Sequence, residues 1–173
     1  MNISRFYLFL VFYALAFAQD DQIIKYEDLF DRNGLVYAPD QDTSFSGNVK
    51  AIWASGINKL EYNYVDGKPD AKWNNWYESG QPEEEIEYQL GIKNGVHKQW
   101  YSNGQLEFER TYKKGIHDGK WTEWYQNGQL MVEGNFLNGK PDGLWVYWYP
   151  NGQKREEGNP VSSDSSSLAF LND

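Results

Sequence analysis

A glutamate recurs every 24 residues as Glu61, Glu85, Glu109, Glu133 and Glu157, with Glu83, Glu87 and Glu107 beside them. Two carboxylates at a fixed separation are the equipment of glycoside hydrolysis. Equivalent places in successive β-hairpins would repeat about every 10 Å, near the upper end of the ~6.5–9.5 Å that an inverting mechanism uses. A catalytic pair also needs two unlike environments, so that one acid keeps its proton. A repeated column supplies the same environment each time. The column therefore reads as a solvated acidic strip, with glycan or cation contact as its chemical use, and no residue is assigned a catalytic role.

The other groups that do chemistry are few. His117 stands in what reads as a turn, Gly115-Ile116-His117-Asp118-Gly119, and His97 occupies the place held by Trp73, Trp121 and Trp145 in neighbouring units, which makes it a substituted core ring. The chain contains no cysteine, so thiol nucleophiles and disulfides are out of reach. Segments such as Asp66-Gly67-Lys68-Pro69-Asp70 carry too few carboxylates for a calcium loop. No cofactor or metal site is expected, and the reading is non-enzymatic.

Tyr77, Tyr101, Tyr125 and Tyr149 form a second column of the same period, each preceded by a tryptophan: Trp76, Trp100, Trp124 and Trp148. Alternation along a strand sends the Trp column to one face of a sheet and the Tyr column to the other. The Trp column reads as core. Tyr77, Tyr101, Tyr125 and Tyr149, with Glu85, Glu109 and Glu133, are the candidate partner-binding residues.

Positioning these columns requires a repeat array. Turn glycines keep the same step as Gly56, Gly80, Gly104, Gly128 and Gly152. Within one unit Lys120 to Gln126 is rich in Trp, Thr and Tyr, residues that suit a pleated surface. Asn127-Gly128 reads as a tight hairpin turn, and Leu130, Val132, Gly134 and Phe136 then alternate with polar or smaller neighbours. Asn138 to Gly143 reads as a longer connection, with Pro141 outside the strands. The fold class is all-β: an elongated single-layer antiparallel β-meander of about ten strands, built from 24-residue hairpin repeats. It spans residues 31–158, with an irregular capping unit and then units starting near 47, 71, 95, 119 and 143.

The ends read differently. Arg5 followed by the uncharged run Phe6 to Phe17 and Ala16-Phe17-Ala18 is the pattern of a secretory signal over residues 1–18. The run is shorter than the ~20 apolar residues of a spanning helix. Residues 19–30 form a polar leader, and 159–173 a Ser-rich flexible tail ending in Leu168-Ala169-Phe170-Leu171. Leader and tail are the segments available to cover the open sheet edges. The formal net charge is −9, which disfavours nucleic acid and anionic membrane surfaces and favours a partner with a basic surface.

The W-Y-x-N-G-Q turn strand, the following E-G-N-F or E-x-x-Y strand and the G-K-x-D-G connection resemble the MORN-repeat variant of the YwqK antitoxin family. Arg32-Asn33-Gly34-Leu35-Val36-Tyr37 followed by Ser44-Phe45-Ser46-Gly47 is similar to the opening of such proteins. The resemblance implies an elongated β array used for protein contacts, without enzymatic residues, and for the antitoxins a toxin partner. The functional reading is thus an exported interaction module, periplasmic, cell-surface or extracellular, whose partner is a toxin or an envelope protein. The alternative is a glycan-binding envelope protein with aromatic platforms.

Overall fold

The computed structural model describes residues 24–160. The signal, the first part of the leader and the tail from residue 161 lie outside the described residues. A short strand β1 (Ile24–Lys25) leads through one 3-10 turn (Tyr26–Asp28) into a hairpin of β2 (Phe30–Arg32) and β3 (Leu35–Tyr37). Ten strands follow in meander order. They are β4 (Gly47–Ile52), β5 (Asn58–Val65), β6 (Lys68–Trp76), β7 (Pro82–Gln89) and β8 (Ile92–Trp100), then β9 (Leu106–Lys113), β10 (Ile116–Trp124), β11 (Leu130–Leu137), β12 (Lys140–Trp148) and β13 (Lys154–Gly158). Each pairs antiparallel with the next, and the sheet is open. The leader covers the first edge: β1 pairs parallel with β4, Ile24 opposite Val49. At the same end Val36 and Gly67 exchange contact through Val36 N–H to Gly67 C=O, 3.0 Å.

The two kinds of turn are the reverse of the sequence reading. Asn138 (φ 52°) and Gly139 (φ 79°) both have positive φ, as do Asp66-Gly67, Leu90-Gly91 and Lys114-Gly115. These are the two-residue turns whose twist matches paired strands. In the Asn127-Gly128 loop only Gly128 has positive φ, and the loop is closed by Tyr125 N–H donating to Gln129 C=O at 2.8 Å. Strand β12 consequently runs through Pro141. The proline is tolerated because N and C=O of a strand residue point to the same side: the equivalent Pro69 carbonyl accepts from Gly91 of the next turn, so the missing N–H costs no bond to the preceding strand.

Register sorts the side chains into two faces. Val49 lies opposite Tyr62, Trp73 opposite Ile86, Ile86 opposite His97, His97 opposite Arg110, and Trp121 opposite both Arg110 and Gly134. This is the buried row. One core cluster gathers Ala38, Phe45, Val49, Leu60 and Tyr64, with Tyr62 and Trp73 against it. A second gathers Trp121, Val132 and Trp145, with Phe136 and Tyr147. The Trp76 column, expected to be the core, is only half-buried. Its residues sit at strand ends, beside a bulge in each hairpin, where fewer neighbours can cover them.

Two glycine positions show what this packing demands. A Cβ at Gly134 would meet the Trp145 ring at 2.3 Å, whereas one at Gly158 meets nothing within 4 Å. Gly134→Ala should therefore destabilise by about 1–3 kcal/mol through displacement of the ring, and Gly158→Ala by less than about 0.5 kcal/mol, both read from urea unfolding. Ala71 holds φ 57° at a bulge where Gly95, Gly119 and Gly143 stand in later units. Ala71→Gly should stabilise by up to about 1 kcal/mol by relieving left-handed strain, seen as a higher melting temperature.

Candidate functional site

Between the two apolar clusters the buried row turns polar. His97 is 6% exposed and lies edge-on to Phe108, centroids 4.9 Å apart. Its Nε2 is 2.9 Å from Glu84 Oε1, and its Nδ1 is 3.2 Å from Lys93 Nζ. An ammonium only donates, so Nδ1 is the acceptor and Nε2–H donates to the carboxylate. Asn75 donates to the other Glu84 oxygen at 3.0 Å and accepts from Tyr62 Oη at 2.6 Å. The hydrogen bond from His97, with help from Asn75 and the Lys93 charge, holds Glu84 below the usual carboxylate range although burial opposes it. Burial lowers the Lys93 ammonium. With both ring nitrogens of His97 engaged, this network ties four strands together, β5 to β8, and offers no free base.

Next to it, Arg110 pairs with Glu123 and its guanidinium lies 3.9 Å from the Phe108 centroid and 4.0 Å from that of Trp121. Planar stacking of this kind lets a charge sit in an aromatic row. His117 belongs to strand β10, opposite Tyr112, not to a turn. It packs between Tyr112 at 4.4 Å and Phe136 at 5.2 Å. Burial, and then the charges of Arg110 and Lys93 and the ring of His97, push its imidazole below the ordinary range.

The predicted partner-binding residues fall into two separate places. Tyr77, Tyr101 and Tyr125 start the five-residue loops rather than continuing the strands, and each hydroxyl donates to a tryptophan carbonyl one unit on: Trp100 at 2.6 Å, Trp124 at 2.9 Å and Trp148 at 2.8 Å. Tyr149 is 48% exposed. The glutamates lie across the other face, where each alternates with a residue of a different kind: Lys50, Glu61, Asn74, Glu85, Lys98, Glu109, Thr122, Glu133 and Val146 stand opposite one another in turn. Lysines neutralise much of the expected acidic strip. Lys50 pairs with Glu61 at 3.1 Å, Lys72 with Glu85 at 3.1 Å and Lys98 with Glu109 at 3.4 Å. Glu133 is exposed and has no such pair among the described residues.

Residues 69–90, 93–114, 118–138 and 141–159 match the MORN repeat variant. Residues 69–159 are thus an array of four MORN repeats. No curated protein shows detectable similarity to the chain. Each MORN match covers one bulged strand, the five-residue loop and the returning strand, and β4–β5 repeats the same register one unit earlier. MORN repeats serve generally as interaction modules. The surface that this array leaves for contact was not picked out in the sequence. Leu90 (51%), Ile92 (51%), Ile116 (47%) and Leu137 (55%) are exposed aliphatics, all on or beside the tight turns. The turns touch: a Cβ on Gly115 would lie 3.2 Å from Ile92, and one on Gly139 would lie 4.0 Å from Ile116. The available signal was aliphatic residues at turn positions, where other units carry Asp66, Lys68 or Asn138.

The lowered His117 fixes the sign of a pH dependence. A histidine depressed in the fold is held neutral there, so its contribution is fully present above about 6.5, the ordinary imidazole value, and falls away as pH drops below it. Lowered Glu84 loses its contribution at more acid pH, below about 4.5. The melting temperature should thus fall between neutral pH and pH 5, and His117→Phe, which fits the Tyr112–Phe136 slot, should flatten that first step while leaving the more acid one.

Proposed function

We propose that the protein is an exported, non-enzymatic module that binds another protein along the edge formed by its tight turns. The observation that carries this reading is the contiguous row Leu90, Ile92, Ile116 and Leu137, since a run of exposed aliphatics in one line marks a contact surface. Exposed Lys68, Lys113, Lys114 and Lys140 rim it. The favoured partner therefore presents an apolar strip with carboxylates at its margin. The net charge of −9, which suggested a basic partner, acts at longer range and through other faces. Export rests on the pattern of residues 1–18, and the antitoxin or immunity-like role on the resemblance to YwqK-family proteins. A toxin neutralised outside the cytoplasm is the specific form of the proposal.

One observation favours the glycan alternative. A depression of about 320 Å³ is lined by Trp53, Lys59, Tyr62, Asn75, Glu84 and Gln99 among others, an aromatic wall with amide and carboxylate groups of the kind that holds a sugar.

The test compares the chain with a Leu90→Asp/Ile116→Asp variant in crosslinking capture from the producing cell, followed by reconstitution with the purified captured protein. Direct binding lost at least about tenfold in the variant, with unchanged circular dichroism, is the expected result. Equal binding by both chains, or retention only on anionic vesicles, would overturn the edge as a protein site. Indole fluorescence that responds to oligosaccharides and is abolished by Trp53→Ala would transfer the reading to the depression.

A further inference from the structure

The two ends of the array are unlike. At the first, β1 pairs with the edge strand β4, and the β2–β3 hairpin and the loop after it bond to the β5–β6 turn at Gly67. At the other, all five residues of β13 are exposed, and β13 pairs with β12 alone among the described residues.

Three kinds of contact are handed from unit to unit and a fourth occurs once, between the last two units; each is left open at this end. Tyr77, Tyr101 and Tyr125 donate to the carbonyl 23 residues on; Tyr149 has no acceptor among the described residues, and its counterpart would be the carbonyl of residue 172. Side-chain oxygens of Asp70, Asn94 and Asp118 accept the backbone N–H 20 residues on, from Leu90, Lys114 and Asn138 at 2.9, 3.0 and 3.1 Å; Asp142 awaits the N–H of residue 162. Carbonyls of Pro69, Lys93 and His117 accept from Gly91, Gly115 and Gly139; that of Pro141 awaits residue 163. Finally, Gly134 is filled by the Trp145 ring of the next strand, while Gly158 faces open space.

We propose that residues 164–172 of the same chain add as a further antiparallel strand on β13, in the register that β12 takes on β11. The 24-residue step carries Leu144, Trp145, Val146, Tyr147 and Trp148 onto Leu168, Ala169, Phe170, Leu171 and Asn172. The single apolar stretch of the tail thus falls on the half of the strand that carries apolar side chains in β12. Ala169 falls beside Gly158, and the Asn172 carbonyl falls at the Tyr149 hydroxyl. The turn would be Ser162-Ser163 in place of Asn138-Gly139. Its first position accepts ordinary residues, since Leu90 and Lys114 hold φ 48° and 52° there. Its second is glycine in all four described turns, at φ 74° to 89°. Serine there carries a left-handed penalty, so this strand is the most easily released of the array, and its release exposes a bare edge to an incoming strand.

Amide hydrogen exchange of the full chain measures this directly. Truncation after Pro160 should speed exchange at the outward amides of β13 about tenfold, and Phe170→Asp should do the same without shortening the chain. Ser163→Gly should slow it severalfold, because it removes the turn strain and touches nothing else. Exchange at β13 indifferent to all three changes would sink the proposal. So would a dimer, seen by light scattering, whose β13 protection is supplied in mixed samples by the tail of the second copy.

Discussion

Tyr62 and Trp73 lie flat on one another, centroids 4.0 Å apart and planes 11° from parallel. Ring contacts of this sort between adjacent strands are what a single-layer sheet has in place of a second layer. Ala38 and Phe45 of the capping segment pack on Val49, Leu60 and Tyr64 at the first end; in the second cluster the apolar side chains are covered by their neighbours in the row. The chain of contacts runs Tyr64 to Trp73 at 5.1 Å, Trp73 to Tyr88 at 5.1 Å, His117 to Phe136 at 5.2 Å and Phe136 to Trp145 at 5.1 Å. Large aromatic faces make this feasible where aliphatic side chains would leave gaps. Coupling is then between nearest neighbours, as in other repeat arrays.

That coupling explains why the middle of the array tolerates charge. Where His97 and Arg110 replace the apolar residues of the row, the gap between the two clusters is closed by flat groups that also bond: an imidazole fixed by Glu84 and Lys93, and a guanidinium between Phe108 and Trp121. Both fill the row with flat groups: His97 stands edge-on to Phe108 with both ring nitrogens bonded, and the Arg110 guanidinium lies against two rings while pairing with Glu123. The acid lability of this part of the array follows from Glu84 and the nearby His117, both held below their ordinary ranges in the fold and both protonated as the pH falls.

Free apolar surface is displaced to the margins by the same constraint. Along the buried row little free ring surface remains, and along the glutamate row lysines have already taken Glu61, Glu85 and Glu109. What is left is the tight-turn edge, where a glycine without a Cβ lets the side chain of the preceding turn lie over it and the aliphatic residues are exposed, and the outer edge of β13, which pairs with β12 alone among the described residues.

The periodic columns were legible in the sequence because repetition states itself: the 24-residue step, the two strands per unit and the open meander all follow from spacing and strand chemistry. His97 could be read as a ring substituted into a core column on the same grounds. What spacing cannot carry is register. Whether Asn127-Gly128 or Asn138-Gly139 is the two-residue turn depends on where bulges fall, and the bulges at the Trp76, Trp100, Trp124 and Trp148 ends shift the pairing by one residue. That single shift puts Pro141 inside a strand, moves the tyrosines from a face to a loop, and passes the core from the Trp76 column to Trp73, Trp121 and Trp145. Lys50, Lys72 and Lys98 likewise meet the glutamates only across strands. Sequence determined the unit and its repetition, which are local; the tertiary structure decided which faces are buried and which charges are spent, because both depend on residues brought opposite one another by hydrogen-bond register.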